Sequence, residues 1–248
     1  MAELHRERVY GERARIGLVV PSTNTVAEIE FWRMAPAGVT VHTSRMPFLP
    51  QRFDAPLVEM EKHVPRVLEE AASAEPDIIA YGCTASSATG DPSAYCAKLS
   101  QTSGTETVTA AGALLAALQA LSVTRVALVT PYSPAVNAHE VSYFAQNGVQ
   151  VLGDESVIVD DAQLQMRHMS RVPTHTLVSR AVALVSKHDV EGIVLSCCDL
   201  PTTDAIAEIE AKTGLAVVSS AQALFWQSLR AAGISDAIDG YGQLLRNH

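Results

Sequence analysis

The chain is written twice, and the repeat limits what it can fold into. Arg15-Ile16-Gly17-Leu18-Val19-Val20-Pro21 recurs as Arg125-Val126-Ala127-Leu128-Val129-Thr130-Pro131, at an offset of 110 residues. The same offset carries Gly38-Val39-Thr40-Val41 onto Gly148-Val149-Gln150-Val151, and Ala111-Gly112-Ala113-Leu114 onto Ala221-Gln222-Ala223-Leu224. Ile79-Ala80-Tyr81-Gly82-Cys83 matches Ile193-Val194-Leu195-Ser196-Cys197 at an offset of 114, so the second copy has a longer middle connection. Any α/β protein reuses an apolar strand followed by small residues. Four matches at nearly one offset favour a duplicated unit instead.

Each copy alternates β-rich runs with helical patterns. Ile16–Val20 is a continuous apolar run, the signature of a strand buried on both faces. Asn24–Met34 reads as a helix with Ser22, Thr23 or Asn24 as its N-cap. Strands follow at Val39–Thr43, Asp77–Tyr81 and Glu106–Val108, with helices over 56–74, 91–100 and 110–121. The second copy gives strands at Val126–Thr130, Val149–Val151, Gly192–Leu195 and Ala216–Val218, with helices near 134–146, 174–187, 203–212 and 221–232. Such alternation implies α/β architecture: two pseudo-symmetric lobes, each a four-stranded parallel sheet flanked by helices. The expected division is residues 1–110 with a returning segment 221–248, against residues 111–220. Ligands of open parallel sheets bind beyond the carboxyl ends of the strands, so the site is expected in the cleft between the lobes.

Composition narrows the function. The 248 residues are 48% hydrophobic, which is too apolar for disorder and ample for a core. Eighteen Lys and Arg face 27 Asp and Glu, a net charge of −9 with no basic run, which argues against nucleic acid. The longest apolar stretch, about residues 108–121, is shorter than a membrane span. The N-terminus is charged and lacks a signal-peptide core. We therefore expect a cytoplasmic protein whose four cysteines are free thiols. No phosphate-binding loop, dinucleotide fingerprint, nucleophile elbow or metal-ligand spacing is present, so neither cofactor nor metal is expected.

The strand ends hold the candidate chemistry. Ser22, Thr23, Asn24 and Thr25 follow the first strand, and Cys83 and Thr84 follow the third. Their counterparts are Tyr132 and Ser133, then Cys197, Cys198 and Asp199. The set is thiols, hydroxyls and amides, without Lys, Arg or His. A thiol before a helix N-terminus is expected to be acidified by the dipole, and the same N–H groups attract a carboxylate. Two facing thiols can move protons on opposite faces of a carbon, or one can add as a nucleophile. Cys198 stands one residue past the repeat position and is the rival for the second thiol. Cys96, in an Ala-rich helical stretch, reads as structural.

The elements Val20-Pro21-Ser22-Thr23-Asn24-Thr25, Tyr81-Gly82-Cys83-Thr84, Thr130-Pro131-Tyr132 and Leu195-Ser196-Cys197 together resemble the Asp/Glu racemase superfamily. The similarity runs from about residue 15 to 245 and looks closest to the branch of maleate cis-trans isomerase and arylmalonate decarboxylase. It implies a cofactor-independent isomerase of a small dicarboxylate. Cys83 would be the nucleophile or first base and Cys197 the acid. Ser22, Asn24, Thr84, Tyr132 and Ser133 would bind carboxylate oxygens, and a homo-oligomer is expected. The alternatives are an amino-acid or hydantoin-type racemase, an arylmalonate-type decarboxylase, and a small-molecule binding module without catalysis. Two departures stand out. Ala162 takes the place where the isomerases carry an Asn. Asp199 sets an acid near the second thiol, where it would repel a substrate carboxylate.

Overall fold

The computed structural model describes residues 8–158 and 168–248. Two four-stranded sheets are present, and every pairing in them is parallel. The first has the order β2-β1-β3-β4, from β1 (Ala14–Pro21), β2 (Val39–Met46), β3 (Ile78–Tyr81) and β4 (Thr107–Thr109). The second repeats it as β6-β5-β7-β8, from β5 (Arg125–Thr130), β6 (Gln150–Ser156), β7 (Gly192–Leu195) and β8 (Ala216–Ser219). The central strands are apolar through their middle residues because both faces are covered. Ile16, Leu18, Val19 and Val20 of β1 are all fully buried, as is every residue of β3.

The first half contributes α1 (Ala27–Met34), α2 (Pro56–Glu61), α3 (Val64–Ala72), α4 (Thr84–Ser87), α5 (Pro92–Ser103) and α6 (Ala110–Ala120). The second contributes α7 (Pro134–Gln146), α8 (Thr174–Val185), α9 (Thr203–Thr213), α10 (Ser220–Ala231) and α11 (Gly242–Asn247). The outer face of the first sheet, with Val19, Met46, Ile79 and Tyr81, packs on α2, α3 and Leu99 of α5. The outer face of the second, with Ala127, Val129, Ile193 and Leu195, packs on α8 and α9. The inner faces share one core, in which Ile16, Leu18, Leu128 and Val194 meet α1, α6 and α10. Phe31 of α1 and Phe225 of α10 make an edge-to-face pair inside it, at a centroid distance of 5.0 Å.

Both copies end alike. β4 runs straight into α6, where Thr109 Oγ1 accepts a hydrogen bond from the Gly112 N–H (3.3 Å). β8 runs straight into α10, where Ser219 and Gln222 form a reciprocal capping box. The caps stand at equivalent repeat positions, which explains why helices resume there without a loop.

The structure differs from expectation in six elements. α1 starts at Ala27 rather than Asn24, because Asn24 Oδ1 accepts from the Val26 and Ala27 N–H groups ahead of it, and β2 runs on to Met46 beside the full length of β1. The helix expected over 56–74 is two helices, because Pro65 lacks an N–H and its ring clashes with the preceding turn. β6 extends to Ser156 rather than ending at Val151; its Gly153-Asp154-Glu155 stretch hides a half-exposed strand. The short helices α4 and α11 had no separate expectation. Among the described residues, no helix is long and apolar enough to cross a membrane.

Candidate active site

The carboxyl ends of both sheets open onto a cavity of about 370 Å³, lined by residues from both halves. Asn24, Cys83 and Thr84 come from the first half, and Tyr132, Ser133, Cys197, Cys198 and Asp199 from the second. Phe48, Leu57, Val58, Val136 and Met169 supply apolar wall. Neither Lys, Arg nor His lines it among the described residues.

Cys83 precedes α4 in extended conformation, and the Ser87 hydroxyl donates to its carbonyl (2.7 Å). Gly82 brings this segment tight against β1. A Cβ there would stand 2.9 Å from Val20 Cγ1 and 3.2 Å from the Val19 carbonyl, so a side chain would push Cys83 out of place. Cys197 has φ +152°, a region that L residues rarely adopt, and its N–H donates to Ser220 Oγ (3.0 Å). Strain held beside a reactive group is a familiar mark of function. The Asp199 N–H donates to Cys197 Sγ (3.3 Å), and the Met169 sulfur lies 3.8 Å away.

The helix-dipole expectation for the thiols meets a correction. α4 is a single turn, and α9 begins six residues after Cys197, so neither thiol has a long helix behind it. Burial, which penalises the charged thiolate, dominates and pushes Cys83, Cys197 and Cys198 up from the ordinary thiol value. Local donors oppose it. Ser86 favours the Cys83 thiolate, while the Tyr132 hydroxyl and Asp199 N–H favour that of Cys197.

Asn24 is held by its own loop. Its Oδ1 accepts from the Val26 and Ala27 N–H groups, both at 3.0 Å, which closes the open end of α1 and leaves Nδ2 as a donor. Ser133 opens α7 without a side-chain capping bond, so its hydroxyl is uncommitted. Thr84 Oγ1 and Cys198 Sγ contact each other at 3.6 Å across the halves. Cys198 touches the cavity but sits in the shared core. Ser22 is absent from the cavity wall: its Oγ accepts from the Phe48 N–H (3.0 Å) and donates to the Phe48 carbonyl (3.2 Å). Ala162 lies outside the described residues.

Three charged neighbours escaped the sequence reading. Arg45 stands behind the cavity wall, donating to the Asn24 carbonyl (2.6 Å) and pairing with Glu28 (3.0 Å). Glu30 reaches across to α9, accepting from the Thr202 N–H (2.6 Å) and Thr203 N–H (2.9 Å). Glu140 is a buried acid on α7. A signal existed for both acids. Glu30 shares the buried stripe of Ala27, Phe31 and Met34, and Glu140 that of Asn137, Tyr143 and Phe144.

Paired thiols at equivalent strand ends of two like sheets define a protein of the Asp/Glu racemase-like fold, built for chemistry through cysteine. Comparison with known proteins agrees. A profile of the arylmalonate decarboxylase family matches residues 91–245. The maleate isomerase of Nocardia farcinica is 30% identical over 245 residues, spanning 94% of this chain and 95% of that one. The arylmalonate decarboxylase of Bordetella bronchiseptica is 31% identical over 243 residues, spanning 92% and 95%. A solved cysteine-to-alanine variant of the maleate isomerase Iso from Pseudomonas putida S16, with maleate, superposes with a TM-score of 0.86 at 27% identity, covering 94% and 97%. A cysteine-to-serine variant of the N. farcinica maleate cis-trans isomerase, with a covalently bound succinylcysteine intermediate, gives a TM-score of 0.83 at 27% identity, covering 95% and 99%. The chain belongs to the arylmalonate decarboxylase family, in the branch that includes the maleate isomerases. It is an isomerase that works through cysteine.

Proposed function

We propose that this isomerase converts a small cis-enedioate, maleate in the first instance, to its trans form. Cys83 acts as nucleophile and Cys197 as proton donor and acceptor. The observation that carries the reading is the pair itself: two buried thiols, one from each half, on one cavity. The succinylcysteine intermediate of the N. farcinica relative supports it.

The Cys83 thiolate adds to one olefin carbon, and the electron pair moves onto the carboxylate of the adjacent carbon. The Cys197 S–H bond breaks to give that carbon its proton, leaving a thioether-linked succinyl group. Rotation about the new single bond turns the carboxylates trans. Cys197 then removes the proton, the C–S bond to Cys83 breaks, and the olefin re-forms. The Asp199 N–H and Tyr132 hydroxyl stabilise Cys197 while it is a thiolate. Asn24 Nδ2, Thr84, Tyr132 and Ser133 bind carboxylate oxygens, helped by the backbone N–H groups that follow each thiol. Ser22 contributes by fixing the end of β1 against Phe48.

Cys198 is a packing residue in this reading. The protein acts in the cytoplasm with reduced thiols, as a homo-oligomer; exposed Ile29 and Trp32 on the outer face of α1 are the apolar surface to be covered. Light scattering tests the assembly. Proton NMR with maleate tests the function: fumarate should appear without loss of CO2. Exchange at Cα of aspartate or decarboxylation of an arylmalonate, with maleate untouched, would reject the assignment.

A further inference from the structure

Glu140 has no place in the chemistry just described, yet it is a carboxyl buried close to the second thiol's segment. It is 1% exposed, and neither carboxyl oxygen has a hydrogen-bond partner. No cation pairs with it among the described residues. Natural proteins rarely leave a buried carboxyl so unsupported, because its charged form loses its solvation.

Its surroundings point toward the thiols. α7 follows directly on Tyr132 and Ser133 and crosses to the first half, where the His139 ring Nε2 meets the Ala88 carbonyl (2.7 Å) just past α4. Tyr143, one turn on, packs with Ala88 and Ala111. α7, which carries Glu140, thus joins the end of β5 to the segment just past α4. Ser196, immediately before Cys197, has a buried hydroxyl that is itself unpartnered and lies close enough to favour the Glu140 carboxylate. The titratable groups in its field are Cys83 from the α4 segment, Tyr132 from the β5 end and Tyr143 of its own helix. A charge on Glu140 raises all three.

We propose that Glu140 is a positioning residue that shares one negative charge with Cys83, so that a proton on Glu140 is what lets Cys83 stand as a thiolate. Two anions in one water-poor pocket repel each other, and the pair titrates as a unit. Cys83 loses its S–H proton to solvent as Glu140 takes one up, and the total charge of the pocket stays the same. Burial lifts the carboxyl to about 7 and raises the thiol from its higher ordinary value, so the shared charge rests mainly on Glu140 and the Cys83 thiolate is the minor form that a proton on Glu140 releases.

The test is alkylation of Cys83 by iodoacetamide across pH, read by mass spectrometry of the Cys83 peptide. The wild-type profile should show two steps, the lower near pH 7. E140Q should show one step, with the rate at pH 8 raised about three- to tenfold by loss of the like charge. E140L removes the carboxyl in an apolar form of similar bulk and should behave alike if E140Q fails to fold. A single step in the wild-type protein, or superimposable profiles in wild type and variant, would overturn the proposal. A uniform change at every pH would do the same, since that is what a packing role predicts. The catalytic meaning rests on the isomerase reading, but alkylation needs no substrate. Failure to convert maleate and failure of the coupling are therefore separate results.

Discussion

The Thr25 N–H of the first half donates to Asp199 Oδ1 of the second at 2.8 Å, so an acid beside the second thiol is anchored from the opposite side of the cleft. Burial lifts Asp199 to about 6, against the Thr25 bond and the Arg45 charge. It is an anion at pH 8, close to where a substrate carboxylate must lie. D199N should lower KM for a dicarboxylate severalfold at pH 8. The difference should vanish at pH 5, where the wild-type acid is protonated. Steady-state kinetics of both proteins at the two pH values decide this.

The three cavity cysteines should separate cleanly. C83A and C197A should each lower kcat/KM by about a thousandfold or more, since each removes a bond-making group. C198A should stay within a few-fold of wild type and lose about 1 kcal/mol of stability from the shared core. A dead C198A beside an active C197A would exchange the roles of the two neighbours. C197S, with its donor weakened, should retain a covalent adduct on Cys83 detectable by intact-protein mass spectrometry.

The backbone at Cys197 makes an unusual stability prediction. Glycine ordinarily costs about 0.5–1 kcal/mol relative to alanine in regular structure. At φ +152° only glycine is unstrained, and strain of this kind is worth about 1–3 kcal/mol. C197G should therefore be more stable to urea than C197A.

Stability should also depend on pH through Glu140. Its folded value of about 7 lies above its ordinary value of 4.5, so the folded protein binds the extra proton between them. That contribution is complete below pH 4.5 and is lost as pH rises through 7, at a cost on the order of 3 kcal/mol by pH 8. E140L should flatten this slope and be the more stable protein at pH 8. Urea titrations at pH 5 and 8 measure it.

Glu30 is the largest cross-half polar contact. It accepts two backbone N–H groups and the Thr202 hydroxyl (3.1 Å) at the start of α9, bonds that oppose the burial which raises its pKa. E30A should lose about 2–4 kcal/mol, and E30Q less, because Gln retains an acceptor. Parallel thermal and urea unfolding would show whether the loss is of this size.

The two parallel sheets were legible because the repeat and the doubly buried strands β1, β3, β5 and β7 write themselves as apolar runs, while the order of the strands within each sheet came from the structure alone. β6 was cut short because Gly153, Asp154 and Glu155 are weak strand formers in a strand that stays partly exposed on both faces. The cavity thiols were legible because each follows a strand of known depth. Ser22 was not, since only the fold shows that Phe48 occupies its hydroxyl. Glu30 and Glu140 broke the apolar stripe of their helices, and a sequence cannot say whether such a break is solvated or buried. The thiol acidity went the wrong way because burial, a property of the whole molecule, outweighs a local dipole.

α6 and α10, each continuous with the last strand of its own half, lie against each other in a layer that both sheets share. The molecule is therefore not a jaw. Swinging one sheet away from the other would shear that layer and break its apolar contacts. The distance between the two thiols is set by packing rather than by a ligand. Traffic into and out of the cleft is left to smaller movements at its rim, where Phe48, Leu57 and Val58 stand.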